Sequence, residues 1–151
     1  MRFRFFNGPM TGMHIRRFQS ADEQPVVALW HRCGLTRPWN DPNRDIRRKL
    51  GVQPELFLVG TLDEQVVATV MAGYDGHRGW LYYLAVDPGQ QRRGFGREIV
   101  TAAERLLANL GCPKINLQVR TDNVAVVEFY RRLGFCRDEV VSLGKRLVPD
   151  S

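Results

Sequence analysis

Apolar positions along this chain follow two rhythms, and the changes from one to the other mark out its elements. From Met13 the run His14-Ile15-Arg16-Arg17-Phe18 predicts a first strand. Ser20-Ala21-Asp22-Glu23 has the form of a capping box, and Val26, Val27 and Trp30 then recur at helical spacing until Cys33-Gly34 stops the helix. Asp41-Pro42 supplies an N-cap and a first-turn proline for a second short helix ending near Leu50. Leu56 to Val59 reads as a strand that turns at Asp63-Glu64 and returns from Val66 to Gly73. Asp75-Gly76 signals a hairpin into Trp80 to Val86, a run apolar on both alternating faces and so expected at the centre of a doubly covered sheet. Strict alternation sets Tyr82 and Tyr83 on opposite faces of that strand.

Past a basic, glycine-rich stretch from Gln90 to Gly96, the residues Ile99, Val100, Ala103, Leu106, Leu107 and Leu110 form one face of a helix that Gly111-Cys112-Pro113 closes. Ile115, Leu117 and Val119 alternate with Asn116 and Gln118 in a further strand. Thr121-Asp122 can cap a last helix bearing Val126, Val127, Tyr130 and Leu133, and Gly134-Phe135 with Val140 to Leu147 read as closing strands. The predicted order is βααβββαβαββ, a mixed α/β domain with helices on both faces of one sheet. Asn7-Gly8-Pro9 and Thr11-Gly12 break any pattern before Met13. Residues 1–12 are therefore expected to be a disordered extension, with Met13 as the start of order or of translation, and residues 13–151 a single domain.

At 151 residues, 44% hydrophobic and 25% charged, the chain has the size and composition of one globular unit. No apolar run approaches the roughly 20 residues of a membrane helix, and the N-terminus lacks the apolar core of a signal peptide. A cytoplasmic protein without a membrane partner is expected. Cys33, Cys112 and Cys136 form no CxxC, and His14, His31 and His77 are scattered, so neither a disulfide framework nor a metal site is expected. The net charge of +6, mostly arginine, fits a solvated surface, a phosphorylated ligand or nucleic acid. The basic residues form no aromatic-interleaved stripe, which argues against nucleic acid.

The basic residues carry most meaning where a buried strand runs into Gln91-Arg92-Arg93-Gly94-Phe95-Gly96 and then into an amphipathic helix. Glycines permit backbone conformations closed to other residues, and amides at the helix start converge on one point with the helix dipole behind them, an arrangement that binds phosphate. No GK[ST] follows, so this is not a Walker loop, and the GxGxxG of a dinucleotide fold is absent.

Leu84-Ala85-Val86-Asp87-Pro88 leading into Gln91-Arg92-Arg93-Gly94-Phe95-Gly96 resembles motif A of the GNAT acetyltransferases. Asn123 followed by Phe129-Tyr130-Arg131-Arg132-Leu133-Gly134-Phe135 resembles that family's motif B. The element order agrees from about Met13 to Leu147. Flanking pieces at 37–42, 73–79 and 142–147 look like the YpeA-type bacterial members. The resemblance implies a mostly antiparallel GNAT-like sheet, acetyl-CoA as co-substrate and no metal. It implies that Leu84, Ala85 and Val86 offer backbone to the cofactor's pantetheine arm. The amides of Arg92, Arg93, Gly94, Phe95, Gly96 and Arg97 then take the pyrophosphate, and Asn123 also contacts the cofactor. Tyr130 matches the tyrosine facing the departing sulfur, though on spacing alone it reads as a core aromatic. An amide near Ala85 or Val86 would stabilise the oxyanion.

Where protein N-terminal acetyltransferases often carry glutamate, this chain has Gln118, which is no base at neutral pH. Asp75, His77 and, behind them, Glu128 are the candidate bases, with a plain hairpin turn as the competing reading for the first two. Trp39, Asp41, Asp75, Tyr83 and Gln118 are candidates to line the acceptor site, Asp41 serving equally as a helix cap. The expected function is transfer of acetyl to an amine by direct attack in a ternary complex. A small-molecule amine or amino acid is favoured over a peptide N-terminus. The alternative is a non-catalytic acetyl-CoA sensor. The sequence leaves a homodimer open.

Overall fold

The computed structural model describes residues 12–150. The expectation of a disordered extension therefore falls, up to residue 11, outside the described residues. Met13 is buried, and its thioether occupies the place a side chain on Gly60 would take.

Among the described residues, five strands form one sheet in sequence order: β1 (His14–Arg17), β2 (Phe57–Leu62), β3 (Gln65–Tyr74), β4 (Gly79–Val86) and β5 (Ile115–Leu117). The first four are antiparallel neighbours, and β5 runs parallel to β4. Helices α1 (Glu23–Arg32) and α2 (Pro42–Leu50) lie between β1 and β2 in the chain, α3 (Phe95–Asn109) between β4 and β5, and α4 (Val124–Arg132) follows β5.

Period-2 alternation divides the sheet's apolar side chains between two cores. On one face Leu58, Val70, Ala72 and Leu81 pack against Phe95, Ile99, Val100, Ala103 and Leu107 of α3 and Tyr130 of α4. On the other, Phe57, Val59, Met71 and Ala85 meet Val26, Leu29 and Trp30 of α1 and Ile46 of α2. The mixed α/β architecture with helices on both faces is as expected.

Three local expectations differ. Asp22 does not open a helix from Ser20. Ser20–Asp22 is a single 3₁₀ turn, and the Asp22 carboxylate accepts from the Gln19 amide at 2.8 Å and from both Arg16 guanidinium nitrogens at 2.7 and 2.9 Å. The cap of α4 is Asn123 rather than Thr121-Asp122, its Oδ1 accepting from the Val126 amide. The closing strands do not form. Between Gly134 and Asp150 no residue joins a helix or strand. A strand needs a neighbouring edge, and β5 is three residues long. Val140, Val141, Leu143, Leu147 and Val148 accordingly stay exposed. Side chains hold this segment instead: Lys114 and Asn116 donate to Asp138, Gln118 to Ser142, Arg146 to Asn40, and Arg48 to Asp150.

Candidate active site

β4 and β5 pair only through Gly79–Leu81 and Ile115–Leu117. Beyond that point β4 continues from Tyr82 to Val86, and among the described residues no strand lies beside it on this edge. On its other edge, Thr69 of β3 opposes Ala85 and Met71 opposes Tyr82, so the single residue Val70 faces both Tyr83 and Leu84. This is a β-bulge, with Tyr83 at φ 51°. A left-handed conformation costs a non-glycine residue about 1 kcal/mol.

The bulge corrects the expectation for the two tyrosines. Tyr82 stacks with Trp80, on the face opposite Leu81, while Tyr83 stacks on Trp30 of α1 at 3.8 Å. Both therefore lie on the α1–α2 face. Tyr83 Oη donates to Asp45 at 2.6 Å, and burial followed by that carboxylate pushes its pKa upward.

Backbone directions follow from the same region. Thr69 Oγ1 donates to the Tyr83 carbonyl at 2.8 Å, and the Asp87 amide donates to Val67 at 2.8 Å, so these groups point toward β3. Alternation then turns the amides of Leu84 and Val86 to the open edge and those of Ala85 to β3. The Val86 carbonyl accepts from the Cys33 thiol at 3.3 Å.

The loop after β4 meets this edge. Arg92 has φ 65° and Gly94 φ 82°. Gly94 caps α3 with no side-chain hydrogen bond, and the first amide of the helix to donate within it is that of Glu98, to the Gly94 carbonyl at 3.0 Å. The amides before it are available to an anion. Phe95 has a fully buried ring, so only its backbone can serve a ligand. Arg93 braces the loop, lying over the Phe95 ring and donating to Gln90. Arg92 and Arg97 are exposed. Gly96 serves close packing: a Cβ there would stand 3.1 Å from Phe129 Cζ and 3.6 Å from Val86 Cγ2, so the loop, the end of β4 and α4 converge on it.

Tyr130 is buried on α4, edge-on to Phe129 and Phe135. Its Oη makes no hydrogen bond to a described residue, and burial raises its pKa, which keeps the phenol protonated. Asn123 is exposed and spends its side-chain oxygen on the cap, leaving its amide nitrogen available.

On the opposite face, Ile115, Leu117 and Val119 pack into the α3–α4 core, so Asn116, Gln118 and Arg120 point toward α1 and α2. Arg120 lies over the Trp39 ring, and Gln118 donates to Ser142. Asp41 is the N-cap of α2, accepting from the Asn43 and Arg44 amides at 2.9 and 3.2 Å. Asp75 accepts from the His77 and Arg78 amides at 2.8 and 2.7 Å, which close the hairpin and lower its pKa. That turn lies six residues of β4 or more from Ala85, about 20 Å at a strand's rise, so the structure does not bring His77 to the open edge. Glu128 is ion-paired with Arg131 and Arg132, and its pKa falls to about 2.

The sequence pattern places Trp30 on the helical face of α1 but singles out neither Thr69 nor Asp45, because the role of each depends on a distant partner.

A family model described as acetyltransferase (GNAT) family matches residues 19–135. An acetyltransferase of Yersinia enterocolitica is 49% identical over 138 residues, covering 91% of this chain and 98% of that protein. The crystal structure of Ard1 from Thermoplasma volcanium superposes with a TM-score of 0.69 at 25% identity over 83% of each chain. AAC(6')-Iy, in complex with the bisubstrate analog CoA-S-monomethyl-acetylneamine, shares the fold with a TM-score of 0.72 at 19% identity, covering 89% of this chain and 98% of that one. A family match across most of the chain, and near-half identity along almost the whole of a relative, place this chain in the GNAT acetyltransferase family of acyl-transferring enzymes.

Proposed function

We propose that this chain moves acetyl from acetyl-CoA directly to the nitrogen of a small amine or amino acid. The observation that carries the reading is the unpaired edge of β4, with the Leu84 and Val86 amides turned outward between the uncapped start of α3 and Tyr130. The edge suits the amide-rich pantetheine arm, and the free amides of 92–97 suit a pyrophosphate. The related AAC(6')-Iy fold in complex with a CoA conjugate is in keeping with both.

In the reaction the amine nitrogen attacks the thioester carbon, the C–S bond breaks, the nitrogen loses a proton and the sulfur gains one. A β4 amide stabilises the developing oxyanion, and the protonated Tyr130 Oη donates to the departing sulfur. Asp75 and His77 lie at the hairpin tip, and Glu128 is too acidic to act as base. The amine therefore gives up its proton to solvent. Gln118, Trp39 and Arg120 line the acceptor side, where the guanidinium favours an acceptor bearing a carboxylate.

The test is thiol release from acetyl-CoA across amino acids, polyamines, aminoglycosides and short peptides. Protein-dependent release with the amino acids is expected. Release only with the peptides would overturn the acceptor assignment. Tight acetyl-CoA binding with silence across the whole panel would favour the sensor.

A further inference from the structure

The peptide joining Tyr83 to Leu84 is the point at which β4 leaves its regular pairing, and one hydroxyl grips it. Thr69 on β3 is fully buried. Its Oγ1 accepts from Trp30 Nε1 at 2.9 Å and donates to the Tyr83 carbonyl at 2.8 Å. An indole nitrogen only donates and a carbonyl only accepts, so the direction of this relay is fixed. The Trp30 ring also covers the Tyr83 ring, and Asp45 receives the Tyr83 hydroxyl. Tyr83 is thus held by its carbonyl, ring and hydroxyl in a backbone conformation that tyrosine seldom adopts. In a trans peptide the carbonyl and the following N–H point in opposite directions. Holding the Tyr83 carbonyl toward β3 therefore aims the Leu84 N–H into the open edge.

We propose that Thr69, backed by Trp30, is a positioning residue for acetyl transfer, fixing the Tyr83–Leu84 peptide so that the Leu84 N–H is presented to the thioester oxygen. The inference rests on the acetyl-transfer reading above for its consequence, and on the relay alone for its geometry. Without the hydroxyl, the Tyr83 carbonyl loses its side-chain hydrogen bond from β3, and the Leu84 amide loses its aim.

The test compares Thr69→Val, which keeps the shape and removes the hydroxyl, with Thr69→Ser, which keeps the hydroxyl, and with Trp30→Phe. Two readouts are taken: the Leu84 amide resonance and its hydrogen exchange in the free protein, and kcat and KM in thiol release. Thr69→Val is expected to shift the Leu84 resonance and lower kcat about 100-fold with KM for acetyl-CoA within about threefold. Thr69→Ser is expected to keep the resonance and to retain kcat within about threefold of the parent, while Trp30→Phe falls about tenfold. A folded Thr69→Val protein with an unmoved Leu84 resonance, or with unchanged kcat, overturns the proposal. If Thr69→Val does not fold, Trp30→Phe with both readouts unchanged overturns it. A parent protein inert toward every amine counts against the acetyl-transfer reading, and the Leu84 resonance then decides the positioning by itself.

Discussion

Tyr130 illustrates how its surroundings tune a single side chain. Burial between Phe129 and Phe135 raises its pKa, so the phenol is a donor across the whole working range. The sign has a kinetic consequence: kcat/KM for the amine rises with pH as the free amine accumulates, and no falling limb from Tyr130 appears below about pH 10. A pH–rate profile checks this. Tyr130→Phe should lower kcat about 100-fold while leaving the dissociation constant of CoA unchanged, read by thiol release beside equilibrium binding. A different residue-scale cost sits in the β2–β3 turn, where Asp63 and Glu64 both have positive φ, 47° and 65°. Asn-Gly in their place should stabilise the fold by about 1 kcal/mol, measured by chemical denaturation.

Among the elements, α3 and the loop before it do the most for the site. Gly94 at φ 82° lets the chain enter the helix with its first amides unspent. Gly94→Ala should raise KM for acetyl-CoA at least about fivefold, because the strained residue shifts the amides it precedes. A titration of rate against acetyl-CoA shows it. This element was legible in the sequence because everything it needs is local: a buried strand, a glycine-rich turn and an amphipathic face in succession. The bulge at Tyr83 was not. The residues that grip it, Thr69 and Trp30, lie far along the chain, and alternation alone placed Tyr82 and Tyr83 on opposite faces. The closing strands failed for a related reason. Val140 to Leu147 has strand-like composition, but strand formation depends on an edge to join, and a three-residue β5 offers little. Asp41 and Asp75 were legible as turn formers and proved to be so, whereas a binding role for either is a matter of neighbours that local pattern does not show.

At the scale of the whole molecule, one sheet separates two cores, and contacts across the chain tie its ends to the middle. The Arg16–Asp22 pair anchors β1 to the entry of α1. Burial alone would raise the Asp22 pKa, but hydrogen bonds from Arg16 and the Gln19 amide, with the Arg16 charge, bring it below the ordinary value. The stability this contributes is present above the unfolded value of about 3.9 and is lost as pH falls through the lower folded value. Asp22→Asn should cost about 2 kcal/mol at pH 7 and much less in strong acid, a difference that denaturation at two pH values reveals. At the other end Asp150 accepts from Arg48 and the Asp41 amide, which pins the irregular final segment to α2. Asp150→Ala should loosen the segment around the exposed Lys145–Arg146 site, seen as faster tryptic nicking in limited proteolysis with the rest of the domain left intact.

The unpaired stretch of β4 also has a bearing on how the protein keeps in a tube. A bare strand edge inside a sheet is a template on which a neighbouring molecule can lay its own backbone. On the proposed reading, the ligand that completes the edge would also act as a preservative. Stored concentrated, the protein should shed soluble material on standing, and millimolar CoA should slow that loss more than the same concentration of inorganic pyrophosphate, which on the proposed reading would occupy the loop and leave the edge bare.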